Sequence, residues 1–326
     1  METLFDSGIS LILAFQNLGE WLLLPMRFFS FLGTEDFYIL VLPVLYWSVD
    51  AALGLRVGVI VLLSAGTNTI FKFIFHSPRP YCVNTEVKAL SAEPSFGLPS
   101  GHAQNAISIW GMVGGYFRKK WVWVLAIILI LGISLSRLYL AVHFPVDTAI
   151  GLLIGFLLLH AVNRAWDPVA EWAKKQTLTK QVVVALLGSL AMLFLGSFVA
   201  WMLKDWTLPV AWEQAAKRAG GEAFNPLSIK SLITSTATLF GLLAGVAWIE
   251  KFGGYTASGS SKKRFLRYLL GLVGLLILYI GLKVLFPSGE NLIAYIFRYL
   301  RYALVGFWVS GGAPFVFFKT NLAKSP

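Results

Sequence analysis

Three short groups of polar residues interrupt an otherwise apolar chain, and their residue types are those that bind and transfer a phosphate group. In chain order the groups are Lys72-x6-Arg79-Pro80, Pro99-Ser100-Gly101-His102 and Ser136-Arg137-x5-His143-x3-Asp147. Each group stands at an end of an apolar segment of membrane-spanning character. Charged side chains are costly there, so those that topology does not explain are candidate functional residues.

The cationic members of these groups predict an anion-binding site. Arginine binds oxyanions through paired hydrogen bonds, which suits Arg79 and Arg137, and Lys72 adds a third positive charge. Ser100 is a suitable N-cap for the apolar helix that follows. The backbone amides of Gly101 and His102 would then direct a helix N-terminus at the anion. Phosphate fits this set of donors, because phosphoryl transfer spreads negative charge over three oxygens.

Two histidines in the same groups supply the remaining chemistry. Asp147 follows His143 by four residues, with Pro145 between them at a favourable first helical position. The carboxylate can therefore contact one imidazole nitrogen and leave the other free to attack phosphorus. His102, on a different element, can protonate the departing oxygen.

Together the three groups resemble the three motifs of the type 2 phosphatidic acid phosphatase (PAP2) superfamily, complete and in order over about residues 35–163. The family includes lipid phosphatases, polyprenyl-diphosphate phosphatases, glucose-6-phosphatase and vanadium haloperoxidases. The resemblance implies that His143 is transiently phosphorylated, Asp147 is its partner and His102 is the general acid. It implies the following phosphate-binding residues: Lys72, Arg79, Ser100, Gly101 and Arg137.

The elements that carry these residues are predicted to be transmembrane helices. Of the 326 residues, 57% are apolar and 13% are charged, against roughly 45–50% and 25% in soluble domains. A span needs about 20 apolar residues, and the sequence predicts spans at 37–49, 53–75, 102–117, 121–140, 145–163, 181–203, 231–250, 265–286 and 302–318. Residues 8–32 are apolar but contain Gln16, Asn17, Glu20 and Arg27, so they either span or lie in the interface. The fold prediction is an all-α polytopic transmembrane bundle.

Basic residues predict the orientation. With 8–32 counted as a span, 15 of the 27 Lys and Arg residues fall on one side, including Arg118-Lys119-Lys120. Lys and Arg accumulate in cytoplasmic loops, so all three motifs are expected on the extracytoplasmic side. We expect an integral multi-pass protein of a bacterial inner membrane.

A polar connector at 166–180, containing Pro168, is expected to divide the chain. It would separate a catalytic core at 1–165 from a C-terminal block of about four helices at 181–326, whose role the motifs do not address. The Gly- and Ser-rich stretch 253–261 is interpreted as a flexible linker. Within loop 204–230, residues 208–218 predict a short helix, either lying in the interface or covering the site as a lid.

The remaining reactive residue types are interpreted as bystanders. Cys82 is the only cysteine, and the chain has four histidines, so no metal site and no cofactor are predicted. His76 is assigned to its loop and His160 to packing, while Arg298 and Arg301 are interpreted as anchors before the last span. No basic run is long enough to bind nucleic acid.

The predicted function is hydrolysis of a membrane lipid phosphate or isoprenoid (di)phosphate, without metal, through a phosphohistidine. One alternative is a glucose-6-phosphatase-like enzyme that acts on a sugar phosphate. A second is a lipid transporter or translocating protein whose core only binds headgroups. The presence of both His102 and His143 favours an enzyme, because a protein that only binds needs neither a nucleophile nor an acid.

Overall fold

The computed structural model describes residues 2–91, 93–218 and 224–324, and all regular structure in these ranges is helical. The α-helices are α1 (Glu2–Gln16), α2 (Leu23–Phe31), α3 (Glu35–Val44), α4 (Ala51–Phe75), α5 (Pro80–Val83), α6 (Gly101–Phe117), α7 (Lys120–Tyr139), α8 (Pro145–Lys174), α9 (Leu178–Met202), α10 (Val210–Arg218), α11 (Lys230–Ile249), α12 (Ser261–Leu276), α13 (Leu282–Leu285), α14 (Leu292–Phe307) and α15 (Ala313–Lys319). The predicted all-α class is confirmed.

Seven helical segments of the described residues are long and apolar enough to cross a membrane. They are Ala51–Val83, Lys120–Tyr139, Pro145–Lys174, Leu178–Met202, Lys230–Phe252, Ser261–Leu285 and Leu292–Lys319. The last two each include a five-residue π-helical stretch, Ile277–Gly281 and Trp308–Gly312, which joins α12 to α13 and α14 to α15. The predicted polytopic helical bundle is confirmed.

Two predicted spans are shorter than a bilayer requires. α6 has 17 residues, because Ser100 caps its start and Arg118 ends it with a left-handed φ of 54°. The segment predicted at 37–49 is α3 followed by the π-helical stretch Leu45–Val49. It stops at extended Asp50, whose Oδ1 accepts the Leu53 N–H at the start of α4. A local capping residue thus ends each segment at the predicted position, 117 for α6 and 49 for the segment that begins with α3.

The N-terminal apolar stretch 8–32 is not one straight span. Phe5–Gln16 and Glu20–Phe31 form two helical arms that meet at 90°. Gly19 stands at the bend with a φ of 109°, a left-handed conformation that glycine adopts without a Cβ clash.

The chain divides into two compact units, each made of three segments. Unit 1 comprises Met1–Tyr38, Thr67–His160 and Gly196–Ile229, and unit 2 comprises Ile39–Gly66, Ala161–Leu195 and Lys230–Pro326. Both units therefore draw on the regions 1–165 and 181–326. The functional division between a catalytic core and a C-terminal block stays a prediction.

In unit 1, small residues bring α6 and α8 into backbone contact. A Cβ built on Gly151 would lie 2.5 Å from the Ser100 carbonyl oxygen, and one on Gly155 would lie 2.4 Å from that of Gln104. The Ser100 N–H donates to the Asp147 carbonyl oxygen at 3.0 Å. Only glycine permits such an approach, as at other membrane helix interfaces. The second and third motifs are thereby held side by side.

In unit 2, the two segments predicted to be a connector and a linker are ordered. α8 runs to Lys174 with Pro168 inside it, and only residues 175–177 separate it from α9. The stretch 253–261 packs with Tyr255 and Ala257 buried, so the flexible-linker interpretation is wrong. The Arg267 guanidinium donates to the Thr256, Ala257 and Ser258 carbonyl oxygens. This arginine is fully buried.

Arg298 and Arg301 lie within the last span, not before it, because that helix begins at Leu292. Arg298 Nε donates to the Lys230 carbonyl oxygen at 3.1 Å and to Thr234 Oγ1 at 3.0 Å. Arg301 is buried with its guanidinium 4.8 Å from the centre of the Tyr302 ring. Both arginines therefore contact protein groups inside unit 2.

Candidate active site

All eight predicted site residues lie in unit 1, at the ends of five helices. Lys72 is in the last turn of α4, Arg79 precedes α5, and Ser100 caps α6 ahead of Gly101 and His102. Arg137 is in the last turn of α7, His143 follows that helix, and Asp147 is in the first turn of α8. Helix ends from separate parts of the sequence thus meet in one unit.

Arg79 is fully buried and binds the segment between the first two motifs. Its Nε donates to the Ser95 carbonyl oxygen at 2.8 Å, and its Nη2 donates to the Phe96 carbonyl oxygen at 3.0 Å. Its Nη1 donates to the Val142 carbonyl oxygen at 2.7 Å, next to His143. Arg79 therefore connects the first motif to the loop that carries the histidine of the third.

Lys72 and Arg137 converge on the same segment. Lys72 Nζ donates to Ser95 Oγ at 2.7 Å. Arg137 forms an ion pair with Glu93 and donates a second hydrogen bond to Ser30 Oγ. Its Nε is buried and has no hydrogen-bond partner among the described residues. A buried cation with an unused donor is suited to receive an anionic ligand.

The start of α6 has the predicted geometry of a helix N-terminus. Ser100 Oγ accepts the Ala103 N–H at 3.4 Å. A Cβ built on Gly101 would lie 3.0 Å from Asn68 Oδ1 of α4, so a larger residue would crowd that side chain. First-turn amides of a helix have no intrahelical acceptors and favour an anion.

His143 and Asp147 lie side by side and are both buried. Nδ1 of His143 is 3.4 Å from Asp147 Oδ2, which also accepts the Phe144 N–H at 2.9 Å. Because Nδ1 faces the carboxylate, Nε2 is the nitrogen directed elsewhere. Burial, and then the positive charges of Arg79 and Arg137, hold the pKa of His143 well below its usual range. The imidazole is thus neutral at physiological pH.

His102 is positioned by a close contact with the N-terminal region. A Cβ built on Gly33 would lie 2.6 Å from His102 Cδ2, so a larger residue at 33 would displace the imidazole. Nε2 of His102 is buried and has no hydrogen-bond partner among the described residues. A buried polar atom of this kind is costly unless a ligand or water satisfies it.

Three residues of this region, Glu93, Ser95 and Gly33, are not predicted from the sequence. Burial raises the pKa of Glu93, but the positive charges of Arg137 and Arg79 outweigh it and hold that pKa well below its usual range. A carboxylate therefore lies among the three cations. The only signal for it in the sequence is an acidic residue nine positions before His102.

The residues interpreted as bystanders lie in three different environments. His76 is exposed, with Nδ1 3.1 Å from the Ile74 carbonyl oxygen. Cys82 is buried in α5. His160 is exposed on α8, so its assignment to packing is wrong. In the described part of the chain, no group of three or more His, Cys, Asp or Glu side chains is arranged to hold a metal ion.

Comparison with known families gives two matches in this chain. Residues 53–169, which contain all three motifs, match the PAP2 superfamily. Residues 233–325 match the family described as PAP2 superfamily phosphatase, transmembrane extension. No solved structure matches the chain.

The curated relatives differ in how much of the chain they match. Sphingosine-1-phosphate phosphatase 2 of Mus musculus is 34% identical over 43% of this chain, which spans only 41% of that relative. Phosphatidylglycerophosphatase B of Bacillus subtilis is 28% identical over 36% of this chain and 62% of its own length. Glucose-6-phosphatase catalytic subunit 1 of Bos taurus is 25% identical over 94% of this chain and 92% of its own length.

Proposed function

The chain belongs to the PAP2 superfamily, and from that premise we propose that it is a membrane phosphatase that hydrolyses a lipid phosphate or isoprenoid (di)phosphate. The observation that carries the proposal is the convergence of Lys72, Arg79 and Arg137 with two imidazoles in unit 1. Cationic side chains that are held around a bound phosphoryl group stabilise the negative charge that develops during phosphoryl transfer.

In the first step, His143 Nε2 attacks phosphorus. A P–N bond forms as the P–O bond to the leaving group breaks, and His102 donates a proton to the departing oxygen. Asp147 accepts the hydrogen of Nδ1 and stabilises the positive charge on the phosphorylated imidazole. Its distance of 3.4 Å from Nδ1 is compatible with a contact that shortens when substrate binds.

In the second step, water attacks the phosphohistidine. Neutral His102 accepts a proton from the water, the P–N bond breaks, and inorganic phosphate leaves as the imidazole is regenerated. Lys72, Arg79 and Arg137, with the amides of Gly101 and His102 behind the Ser100 cap, bind the phosphoryl oxygens in both steps.

Of the two arginines, Arg79 needs less movement to bind phosphate. Its hydrogen bonds to the protein use Nε, Nη2 and one position on Nη1. We propose that Arg79 offers the remaining Nη1 hydrogen to phosphate, while Arg137 reorients from Glu93.

No metal is part of the proposal, because the three cations supply the charge that Mg²⁺ otherwise provides. The test is phosphate release from purified protein, with phosphatidic acid, sphingosine phosphate, undecaprenyl diphosphate and glucose 6-phosphate as substrates. We expect turnover of a lipid substrate, inhibition by vanadate and no loss in EDTA. Loss of turnover in EDTA and its recovery with Mg²⁺ would overturn the metal-independent mechanism. Absence of turnover with every substrate would favour a protein that only binds or translocates lipid.

A sugar phosphate is the second candidate substrate. It is supported by the extent of the similarity to the bovine glucose-6-phosphatase subunit, which covers both family matches and not the motif region alone. In the same assay, a kcat/KM for glucose 6-phosphate above that of every lipid would favour this candidate.

We also propose that the protein resides in a bacterial inner membrane with its site on the extracytoplasmic side. Buried Cys82 is unsuitable as a topology reporter, so the test uses a Cys82→Ala background. Glu86→Cys introduces a thiol at an exposed position between the first two motifs, and Lys119→Cys introduces one in the basic loop after α6. A membrane-impermeant maleimide on intact cells should label the first thiol only. Labelling of the second only would reverse the orientation.

A further inference from the structure

The residues between α9 and α11, numbers 203–229, are here termed the outer loop, and its described parts, 203–218 and 224–229, belong to unit 1. Residues 219–223 of this loop lie outside the described part of the chain. The predicted short helix at 208–218 is present as α10, Val210–Arg218. Trp212 and Ala215 of α10 join a hydrophobic cluster with Tyr81 and Cys82 of α5. The outer loop lies between the two family matches, which end at 169 and begin at 233.

The outer loop contacts residues 93–96, here termed the acceptor segment. This segment provides hydrogen-bond acceptors to all three site cations: the Glu93 carboxylate to Arg137, Ser95 Oγ to Lys72, and two carbonyl oxygens to Arg79. The location of the acceptor segment therefore sets the direction in which the cationic groups point.

The acceptor segment has no regular secondary structure of its own, so other contacts must fix its location. Two of these contacts come from the outer loop. The Asn225 N–H donates to the Pro94 carbonyl oxygen at 3.0 Å. The Trp206 ring lies edge-on to the Phe96 ring, with centroids 5.2 Å apart and an interplanar angle of 76°.

Trp206 is itself supported by a row of aromatic rings. Its centroid lies 6.0 Å from that of Trp212, which lies 6.4 Å from that of Phe224. Phe96 is fully buried. The Trp206–Phe96 and Trp212–Phe224 pairs are edge-to-face and the Trp206–Trp212 pair is tilted at 49°. Because edge-to-face pairs are favourable beyond the area that they bury, the row holds the Phe96 side chain, while Arg79 binds the Phe96 carbonyl oxygen.

We propose that Trp206 is a positioning residue for the phosphate site: by packing on Phe96, it fixes the acceptor segment that orients Lys72 and Arg79. The proposal rests on the proposed phosphatase function. Without the ring, the acceptor segment shifts and the cations no longer align with the phosphoryl oxygens. A displacement of about 1 Å in the groups that bind the reacting phosphate can slow the reaction by about 10²-fold.

The test compares three variants: Trp206→Ala, Trp206→Phe and the matched control Trp201→Ala. Trp201 is 60% exposed at the end of α9, in the same unit, and stacks on Phe198. Each is assayed for kcat and KM on the wild type's best substrate, for inhibition by vanadate, and for thermal stability with and without vanadate.

For Trp206→Ala we expect kcat to fall about 10–10²-fold and vanadate inhibition to weaken about 10-fold, because both depend on cation alignment. Its melting temperature without vanadate should match that of Trp201→Ala, whose kinetics should remain within about twofold of wild type. Trp206→Phe keeps an aromatic contact with Phe96 and should recover most of the activity.

Three outcomes separate this proposal from the function on which it rests. If wild type turns over substrate and is protected by vanadate, but Trp206→Ala behaves like Trp201→Ala, the positioning role is wrong and the phosphatase stands. A loss of activity that only parallels a loss of thermal stability, unrelieved in Trp206→Phe, would also overturn it. If wild type shows neither turnover nor vanadate protection, the proposed function itself fails.

Discussion

Arg137 of unit 1 and Arg267 of unit 2 are both fully buried, and these two arginines have different surroundings. Arg267 of unit 2 donates to three carbonyl oxygens and to Tyr255 Oη, all from the adjoining stretch of chain. Arg137 of unit 1 binds Glu93 and Ser30 and lies among two further cations and two imidazoles. Burial of a cation therefore does not by itself identify a site.

The two surroundings have different physical consequences. The terminal nitrogens of Arg267 are paired with acceptors of one adjoining stretch of chain, so its interactions stabilise a loop, although its Nε is buried without a hydrogen-bond partner among the described residues. In unit 1 the cations outnumber their carboxylate partner, and His102 Nε2, Arg137 Nε and Asp147 Oδ1 are buried without hydrogen-bond partners among the described residues. Each unpaired group costs stability, and an imidazole, a guanidinium and a carboxylate left unpaired around one cluster of cations are expected where a ligand completes them. The comparison predicts that substitutions in unit 1 impair activity and that those in unit 2 impair stability.

The largest effect is expected for His143→Ala. Removing the proposed nucleophile should lower kcat by roughly 10⁴–10⁶-fold, because no phosphohistidine can form. Binding of the unreacted substrate should change little, since the three cations are retained. Steady-state phosphate release and equilibrium binding of a non-hydrolysable phosphonate analogue measure the two quantities. Near-normal turnover would mean that another group is the nucleophile.

Asp147→Asn should reduce kcat by roughly 10²–10⁴-fold. The amide keeps the side-chain shape but cannot stabilise the imidazolium that develops on His143, 3.4 Å away. The readout is single-turnover phosphorylation of the enzyme, which isolates the first step. An unchanged rate of that step would remove Asp147 from the mechanism.

Arg137→Ala and Arg267→Ala test the comparison directly. Arg137→Ala should lower kcat by roughly 10²–10³-fold and raise KM. Arg267→Ala should leave the kinetic constants of the folded protein within about twofold, but lower its melting temperature on the order of 5 °C. Activity per mole of folded protein and thermal unfolding in detergent give both values. If both variants lose activity in proportion to stability, the distinction between the units fails.

The smallest effect concerns acid pH. An ordinary histidine is half protonated near pH 6.5, but burial and the positive charges of Arg79 and Arg137 lower the pKa of His143. Its nucleophilic, neutral form should therefore persist below pH 6.5. After correction for ionisation of the substrate phosphate, kcat/KM should not fall as the pH is lowered from 7 to 5.5, because His143 stays neutral and the general acid His102 only gains protons in this range. An acid limb centred at pH 6.5 would contradict this.

Much of the unit 1 cluster could be predicted from the sequence, because each of its members stands at an end of an apolar segment. Counting the predicted spans assigns all those helix ends to the same side of the membrane. The four-residue spacing of His143 and Asp147 corresponds to about one helical turn. Glu93 and Ser95 were missed because they lie in an irregular segment, where no hydrophobic period relates a residue to its neighbours. The cations that Glu93 and Ser95 bind, Arg137 and Lys72, become their neighbours only in the folded chain.

Unit 2 was less predictable for a related reason. Arg298 and Arg301 were interpreted as anchors, and Arg267 was not singled out, because a basic residue near an apolar run is most often at the membrane surface. Their acceptors are backbone carbonyl oxygens and aromatic rings, which every sequence contains and which carry no distinctive pattern. Pro168 misled in the same way, since α8 continues through it.

The most direct test of the central claim is to trap the covalent intermediate. Wild-type protein mixed with ³²P-labelled substrate and denatured within milliseconds should carry one acid-labile, base-stable phosphate on His143, identified by peptide mapping. The label should form equally in EDTA and be absent from His143→Ala. Full turnover by wild type with no protein-bound phosphate at any time, or with the label on another residue, would contradict the mechanism.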